Sequence, residues 1–293
     1  MPAPTPSGPP PLSSADKARL PALAAKFAKA CDVDALAELR RLRAEHGAVP
    51  ELVGPLSAAF TSCAAPAALA DLLVETLPEN PTRTQQLQVG AALVRARRYG
   101  EAAERLEPLV TDGDPQTAWL AGFSLYHAGD RAAALPLLEA GQSKGTGSDP
   151  ALLIGMSRLH LGDVEGALAL LEAGVGADPN NPSLHHALTR AYAAADRPGD
   201  AAASAERARA LHAARAETEA VQSRLSALGT ALNAAWEAGR LDEAEQIIDS
   251  MWGDAPPKLR HQLLGFRVEL YKRTGRPDEA AAAAAQRAAM ESR

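Results

Sequence analysis

Aromatic residues make up only 4% of this 293-residue chain: four Phe, four Tyr and three Trp. That scarcity removes the large side chains on which β-sandwiches and deep globular cores depend. Runs of β-branched and aromatic residues with period-two alternation, the mark of strands, are missing as well. Cysteine is almost absent: Cys31 and Cys63 are too few for a disulfide framework, lack CxxC spacing, and have no histidine close in sequence to suggest zinc. Both fall near expected inter-helix turns, where a small packed residue is wanted. No uninterrupted apolar stretch of about 18 residues occurs, so no membrane-spanning helix is expected. The opening MPAPTPSGPPPLSS has neither a basic start nor an apolar run. It reads as a disordered or polyproline-like tail over residues 1–14 rather than a signal peptide, and the default expectation is a cytoplasmic protein. An excess of positive charge is missing too; the formal net charge of -6 argues against non-specific attraction to phosphate backbones and makes nucleic acid an unlikely partner.

The sequence is equally poor in catalytic signatures. No phosphate-cradling Gly-rich loop, GxSxG or HExxH is present. The one histidine doublet, His185-His186, cannot comfortably hold one metal, because adjacent residues point about 100° apart on a helix. Its i, i+4 partner Arg190 is not a ligand at all. Carboxylates are abundant but sit on expected solvent faces such as Glu101–Glu104 and Asp242–Glu243. A non-catalytic protein without cofactor or metal is the expectation.

What the chain has is alanine, the best helix former, together with a repeating phrase. The phrase reads YGEAAERL at 99–106, GDRAAALPLL at 129–138, GDVEGALALL at 162–171, GRLDEAEQII at 239–248 and GRPDEAAAAA at 275–284. Each begins with a turn residue and places a small residue five positions later: Ala134, Ala167, Ala244 and Ala280. Before each turn in the central part stands another helix with a small residue, Gly90, Gly122 or Gly155, with Thr189 in register. Pro-containing boundaries close the units at 79–81, 113–115, 148–150, 178–182 and 254–257. From Gly129 to Gly162 is 33 residues, and the next turn near Asp196 comes 34 later.

On these residues, above all Gly155, Gly162, Asp163, Ala167, Leu171 and the closing DPNNP, followed by Leu188, Tyr192, Ala201 and Ala205, the chain resembles the tetratricopeptide repeat (TPR) family. The resemblance is close over 83–214 and degenerate but in phase elsewhere. It implies an all-α, right-handed solenoid of stacked antiparallel helix pairs, about eight hairpins in all. The expected organisation is a Pro-rich tail (1–14), two degenerate hairpins (15–81), the core repeats (82–214) and two C-terminal hairpins (215–293). From Asp196 to Gly239 is 43 residues, with no Pro between Asp200 and Gly239. Lengthened helices or one long connecting helix, with a bend, are expected there.

In a tetratricopeptide solenoid the first helix of each pair lines the concave surface. The residues projected onto it are Trp119, Phe123, Tyr126 and His127, then Leu152, Met156, Leu159 and His160, then His186 and Arg190. Two readings of the aromatic stripe stand side by side: it fills the gap between neighbouring first helices, or it receives an amphipathic helix or extended peptide. Contact with a ligand requires that these side chains keep some exposure. Some members of the family clamp chaperone C-termini with lysine and asparagine on successive first helices. Here the corresponding faces show Leu87, Ala91, Trp119, Phe123, Leu152 and Met156, with no lysine, which argues against that partner.

A basic cluster, Lys258, Arg260, His261, Arg267, Lys272, Arg273 and Arg276, crowds the last hairpin. It reads either as solvated helix faces or as a dock for an acidic surface, with only Phe266 and Tyr271 available to stack nucleic-acid bases. The function these features favour is a scaffold or adaptor that holds another protein or peptide in its groove. Two alternatives remain: self-assembly through the Ala-rich final helix (279–290), and a regulatory subunit of an enzyme or a weak nucleic-acid binder.

Overall fold

The computed structural model describes residues 12–30, 32–46, 53 and 66–291, and all statements of absence below refer to these. Cys31, Cys63 and residues 1–11 of the Pro-rich head lie outside them. The described chain is helical, with no strand. Its helices are α1 (Ser14–Ala30), α2 (Val33–His46), α3 (Pro66–Thr76), α4 (Arg83–Arg95), α5 (Tyr99–Leu106), α6 (Pro115–Ala128), α7 (Arg131–Gly141) and α8 (Asp149–His160). After these come α9 (Val164–Ala177), α10 (Pro182–Ala194), α11 (Pro198–Glu237), α12 (Leu241–Trp252), α13 (Pro257–Arg273) and α14 (Pro277–Glu291). Consecutive helices pack against each other as hairpins, a tetratricopeptide-like repeat fold.

From α4 onward, the turn inside each described hairpin obeys one recipe. A single residue takes a left-handed φ: Arg97 (59°), Gly129 (102°), Gly162 (88°), Asp196 (56°), Gly239 (68°) and Gly275 (72°). The amide of the next residue then donates back to a carbonyl five residues upstream, as in Asp130 to Leu125 (3.0 Å), Asp163 to Arg158 (2.9 Å) and Arg276 to Tyr271 (2.8 Å). This bond satisfies one of the orphan carbonyls at the end of the first helix and reverses the chain. The residue after the left-handed one starts the second helix in one of two ways. Where it is aspartate, its carboxylate accepts from the backbone three residues on: Asp130 from the Ala133 amide (3.0 Å) and Asp163 from the Gly166 amide (2.9 Å). Where it is arginine, the guanidinium pairs with an acid three residues on. These pairs are Arg98 with Glu101 (2.7 Å), Arg197 with Asp200 (2.7 Å), Arg240 with Glu243 (2.6 Å) and Arg276 with Glu279.

Close crossing of the paired helices depends on small residues. A Cβ added at Gly155 would stand 2.8 Å from Leu171 Cγ, and one added at Gly122 would stand 2.8 Å from the Leu138 amide nitrogen. Leu171, Leu138 and the equivalent Leu106 are fully buried, as are Ala102, Ala134 and Ala167 one turn before them. Each such leucine contributes about 1.5–3 kcal/mol by leaving water.

The chain divides into two compact units, 1–208 and 209–293, with the boundary inside α11. That helix runs unbroken for 40 residues, whereas α4 to α10 span 8 to 14. The extra residues after Asp196 are therefore helix and not coil. In the second unit Leu232 and Ala235 of α11 join Ile248, Met251, Leu263 and Leu270 in a core of its own.

Candidate functional site

In the first unit the first helices of successive hairpins touch one another: α4 meets α6, α6 meets α8, and α8 meets α10. No comparable contact joins α5 to α7 or α7 to α9 among the described residues. The row of first helices is thus the inner, concave side, and the residues it turns inward are the candidate site.

Two of the expected groove residues form its floor and are not available at its surface. Trp119 is 8% exposed and Met156 7%. Gly145 lies close against the Trp119 indole: a Cβ added there would stand 2.7 Å from Cη2 of the ring. The indole packs with Leu125, Leu138, Leu153 and Ile154, so it joins one hairpin to the next. Its physical role is packing, because the turn after α7 closes over it. Met156 packs likewise with Leu168, Leu184 and Leu188.

Above that floor the remaining residues are graded outward. Phe123, Tyr126, Leu152 and Leu159 are half-buried, and His127, His160, His186 and Arg190 are exposed. Tyr126 packs against the core clusters of two successive hairpins. The rings converge on His127: its imidazole lies 4.4 Å from Phe123, stacks on Tyr99 at 4.7 Å, and meets Tyr126 edge-on at 5.2 Å. The Arg131 guanidinium covers the Tyr126 ring at 5.2 Å. Desolvation by these neighbours lowers the His127 pKa, and the charge of Arg97 adds to the effect; Asp149 opposes it, and Arg131 assists to a smaller degree. Its surroundings favour the neutral imidazole over the charged one.

Tyr99 is not among the residues expected in the groove, since it opens a second helix; it reaches the site only through the tertiary stack on His127. Leu161, 49% exposed, comes after His160 at the end of α8 and is the one exposed large hydrophobic residue among those described. Its position after the periodic stretch hides it from pattern reading. The histidine doublet separates: His185 is buried with Nε2 2.9 Å from the Pro179 carbonyl oxygen, while His186 is exposed. No group of three or more His, Cys, Asp or Glu is placed to hold a metal ion among the described residues.

The basic cluster of the second unit does not come together as one patch. Arg267 pairs with Asp249 and covers Trp252 at 4.7 Å. Arg273 bonds Glu269 (3.1 Å) and covers Trp236 at 4.9 Å. Arg276 pairs with Glu245 (2.7 Å) and Glu279, and Arg260 donates to the carbonyls of Trp252 (3.2 Å) and Gly253 (3.1 Å). Lys258 and Lys272 are exposed. Acids therefore pair with three of the six: Arg267 and Arg276 with residues of neighbouring helices, and Arg273 with Glu269 of its own helix. A shallow hollow of about 550 Å³ does open beside it, lined by Trp236, Gln262, Gly265, Phe266, Glu269 and Arg287. Trp236 and Phe266 meet edge-on there at 5.3 Å.

No family model matches the chain. No curated protein matches it either. Among solved structures it is similar to MamA, from residue 41 to the end, of Desulfovibrio magneticus RS-1, at 19% identity over 56% of this chain and 96% of that one, with a TM-score of 0.48. It is similar to MamA of MSR-1 at 16% identity over 68% and 98%, TM-score 0.47. The C-terminal part of a TPR repeat-containing protein from Cytophaga hutchinsonii gives 13% over 81% and 95%, TM-score 0.46. Likeness at this level carries no argument about this chain. No helix among the described residues is long and apolar enough to cross a membrane.

Proposed function

We propose that this protein is a non-catalytic scaffold whose first unit binds a peptide or amphipathic helix of another protein along α6, α8 and α10. The observation that carries the reading is the graded band on three adjoining first helices. It has a packed floor of Trp119 and Met156, half-buried Phe123, Tyr126, Leu152 and Leu159 above it, and His127, His160, His186 and Arg190 at the rim. Apolar anchors within a polar rim are what a docking surface needs, and a preformed surface loses little entropy on binding. Tyrosine and arginine are also among the residue types that concentrate binding energy.

The test is affinity capture from the native cell with the wild type and with Tyr126→Ala/Arg190→Ala, followed by titration of the captured protein. The double variant should keep its helical content and bind at least about tenfold more weakly, as expected on loss of an interface anchor. Equal binding by a folded double variant would remove the groove from the account.

A further inference from the structure

The central stretch of α11, within the second unit, stands in solvent on every side: residues 212–220 are all exposed. A bare helix of that length is expected to be polar all round, yet this one carries an unbroken heptad seam. Leu211, Thr218 and Leu225 occupy one core position, and Ala214, Val221 and Leu228 the other. The Thr218 hydroxyl is satisfied within the helix, donating to the Ala214 carbonyl (2.9 Å). Further along, the same seam enters the core of the second unit at Leu232 and Ala235, with Leu225 and Leu228 partly covered. The stripe that is packed at its C-terminal end is therefore continuous with one that is open.

Charges beside the seam select its occupant. Glu217 and Arg224 hold successive flanking positions of the same type, on the same side of the seam. Glu217 forms no ion pair among the described residues, while Arg224 pairs with Asp254 and keeps a 58% exposed side chain. In an antiparallel pair of helices, flanking positions of one type face their own kind across the interface. We propose that two copies of this chain pair antiparallel along this stretch, with Glu217 of each opposite the partner's Arg224. Thr218 then meets the partner's Val221 at the centre. Outward from it, Ala214 meets the partner's Leu225 and Leu211 the partner's Leu228, small against large and then large against large. Sliding by one heptad in either direction sets Glu217 against the partner's Glu217, or Arg224 against the partner's Arg224. A parallel pair places both charges opposite Gln222 and Gly229, with no complement. Only this orientation and register gives Glu217, which forms no ion pair within the described residues, an arginine opposite it. The contact is short, at the small end of stable interfaces, so association in the micromolar range is expected.

Sedimentation of the full chain, from about 1 to roughly 100 µM, reads this directly, since a micromolar contact fills within that range. The wild type should pass from monomer to dimer. Glu217→Arg, a substitution on an exposed side chain, should weaken the dimer at least about tenfold by setting like charges together. An equimolar mixture of Glu217→Arg and Arg224→Glu chains should restore it, because each charge again faces its opposite. If Arg224→Glu melts early through repulsion by Asp254, Val221→Glu at the central layer takes its place and should leave only monomer with unchanged helical content. A wild type that stays monomeric at roughly 100 µM overturns the proposal, as does a dimer indifferent to Glu217→Arg or Val221→Glu, which would place the contact elsewhere. A well-folded mixture that fails to re-form the dimer overturns the register.

Discussion

From α6 to α9 every helix stops within 14 residues, and the turns inside these hairpins are legible: Gly129 and Gly162 take left-handed φ, and Asp130 and Asp163 cap the second helix of each pair. The 40-residue α11 contains no such signal, and its internal glycine, Gly229, stays helical. In the regular hairpins each helix is covered by neighbours, and the side chains between them, such as Ile154 and Leu138, are fully buried. In the middle of α11 a similar wealth of alanine leaves a stretch of more than two turns open to solvent. Helix propensity alone therefore does not produce the repeat. Chain reversal does, because a helix pair covers its apolar faces only when the chain is turned back on itself.

The comparison is broken or sharpened most strongly at its largest side chains. Trp119→Ala, in the regular part, should cost about 3–5 kcal/mol in a denaturant titration, because the indole is buried between hairpins and leaves a cavity. Leu211→Ala, on the open stretch, should cost under about 1 kcal/mol at concentrations where the protein is monomeric. Equal losses would show that the open stretch is covered within the monomer.

A smaller effect is expected at His127. Its folded pKa lies below the usual value near 6.5, so between those two values the unfolded chain binds more protons than the folded one. The stability from the ring stack is fully present above about pH 6.5 and is lost as pH falls through 6.5 towards the folded value. His127→Phe should flatten part of the decline in denaturation midpoint as pH falls below about 6.5. An unchanged slope would mean that packing on Tyr99, Phe123 and Tyr126 does not govern the titration.

The smallest effect lies in the turns themselves. Arg97 and Asp196 take the left-handed conformation that glycine takes at the equivalent positions. Arg97→Gly and Asp196→Gly should each raise the melting temperature, by up to about 1 kcal/mol of stability, and Gly162→Ala should lower it by a similar amount. If Asp196→Gly destabilises instead, its side chain supports the start of α11 in a way the backbone does not reveal.

Much of the fold could be read in advance because its signals are local. The turns at Gly129, Gly162, Gly239 and Gly275, and the small residues Gly122, Gly155, Ala134 and Ala167, each act within one hairpin. Which side chains share a side of α6 or α8 was legible, since i, i+4 spacing fixes it. Tyr99 was missed because its contact with His127 joins two helices whose separation no spacing encodes. The seam on α11 was equally visible as letters, but a heptad stripe becomes a candidate surface only once it is known that nothing covers it.

The amino-acid sequence by itself determined that the chain is helical, where it turns back, that one segment between Asp196 and Gly239 runs on without a stop, and which residues share each inward face. Tertiary structure alone decided depth and partnership. It buried Trp119 beneath the turn after α7 while leaving His127 at the rim, and it dispersed the basic residues of the last hairpin among acids such as Asp249 and Glu245. The physical reason is that periodicity gives a side chain's direction from its own helix axis, whereas burial and ion pairing depend on what another helix places opposite it.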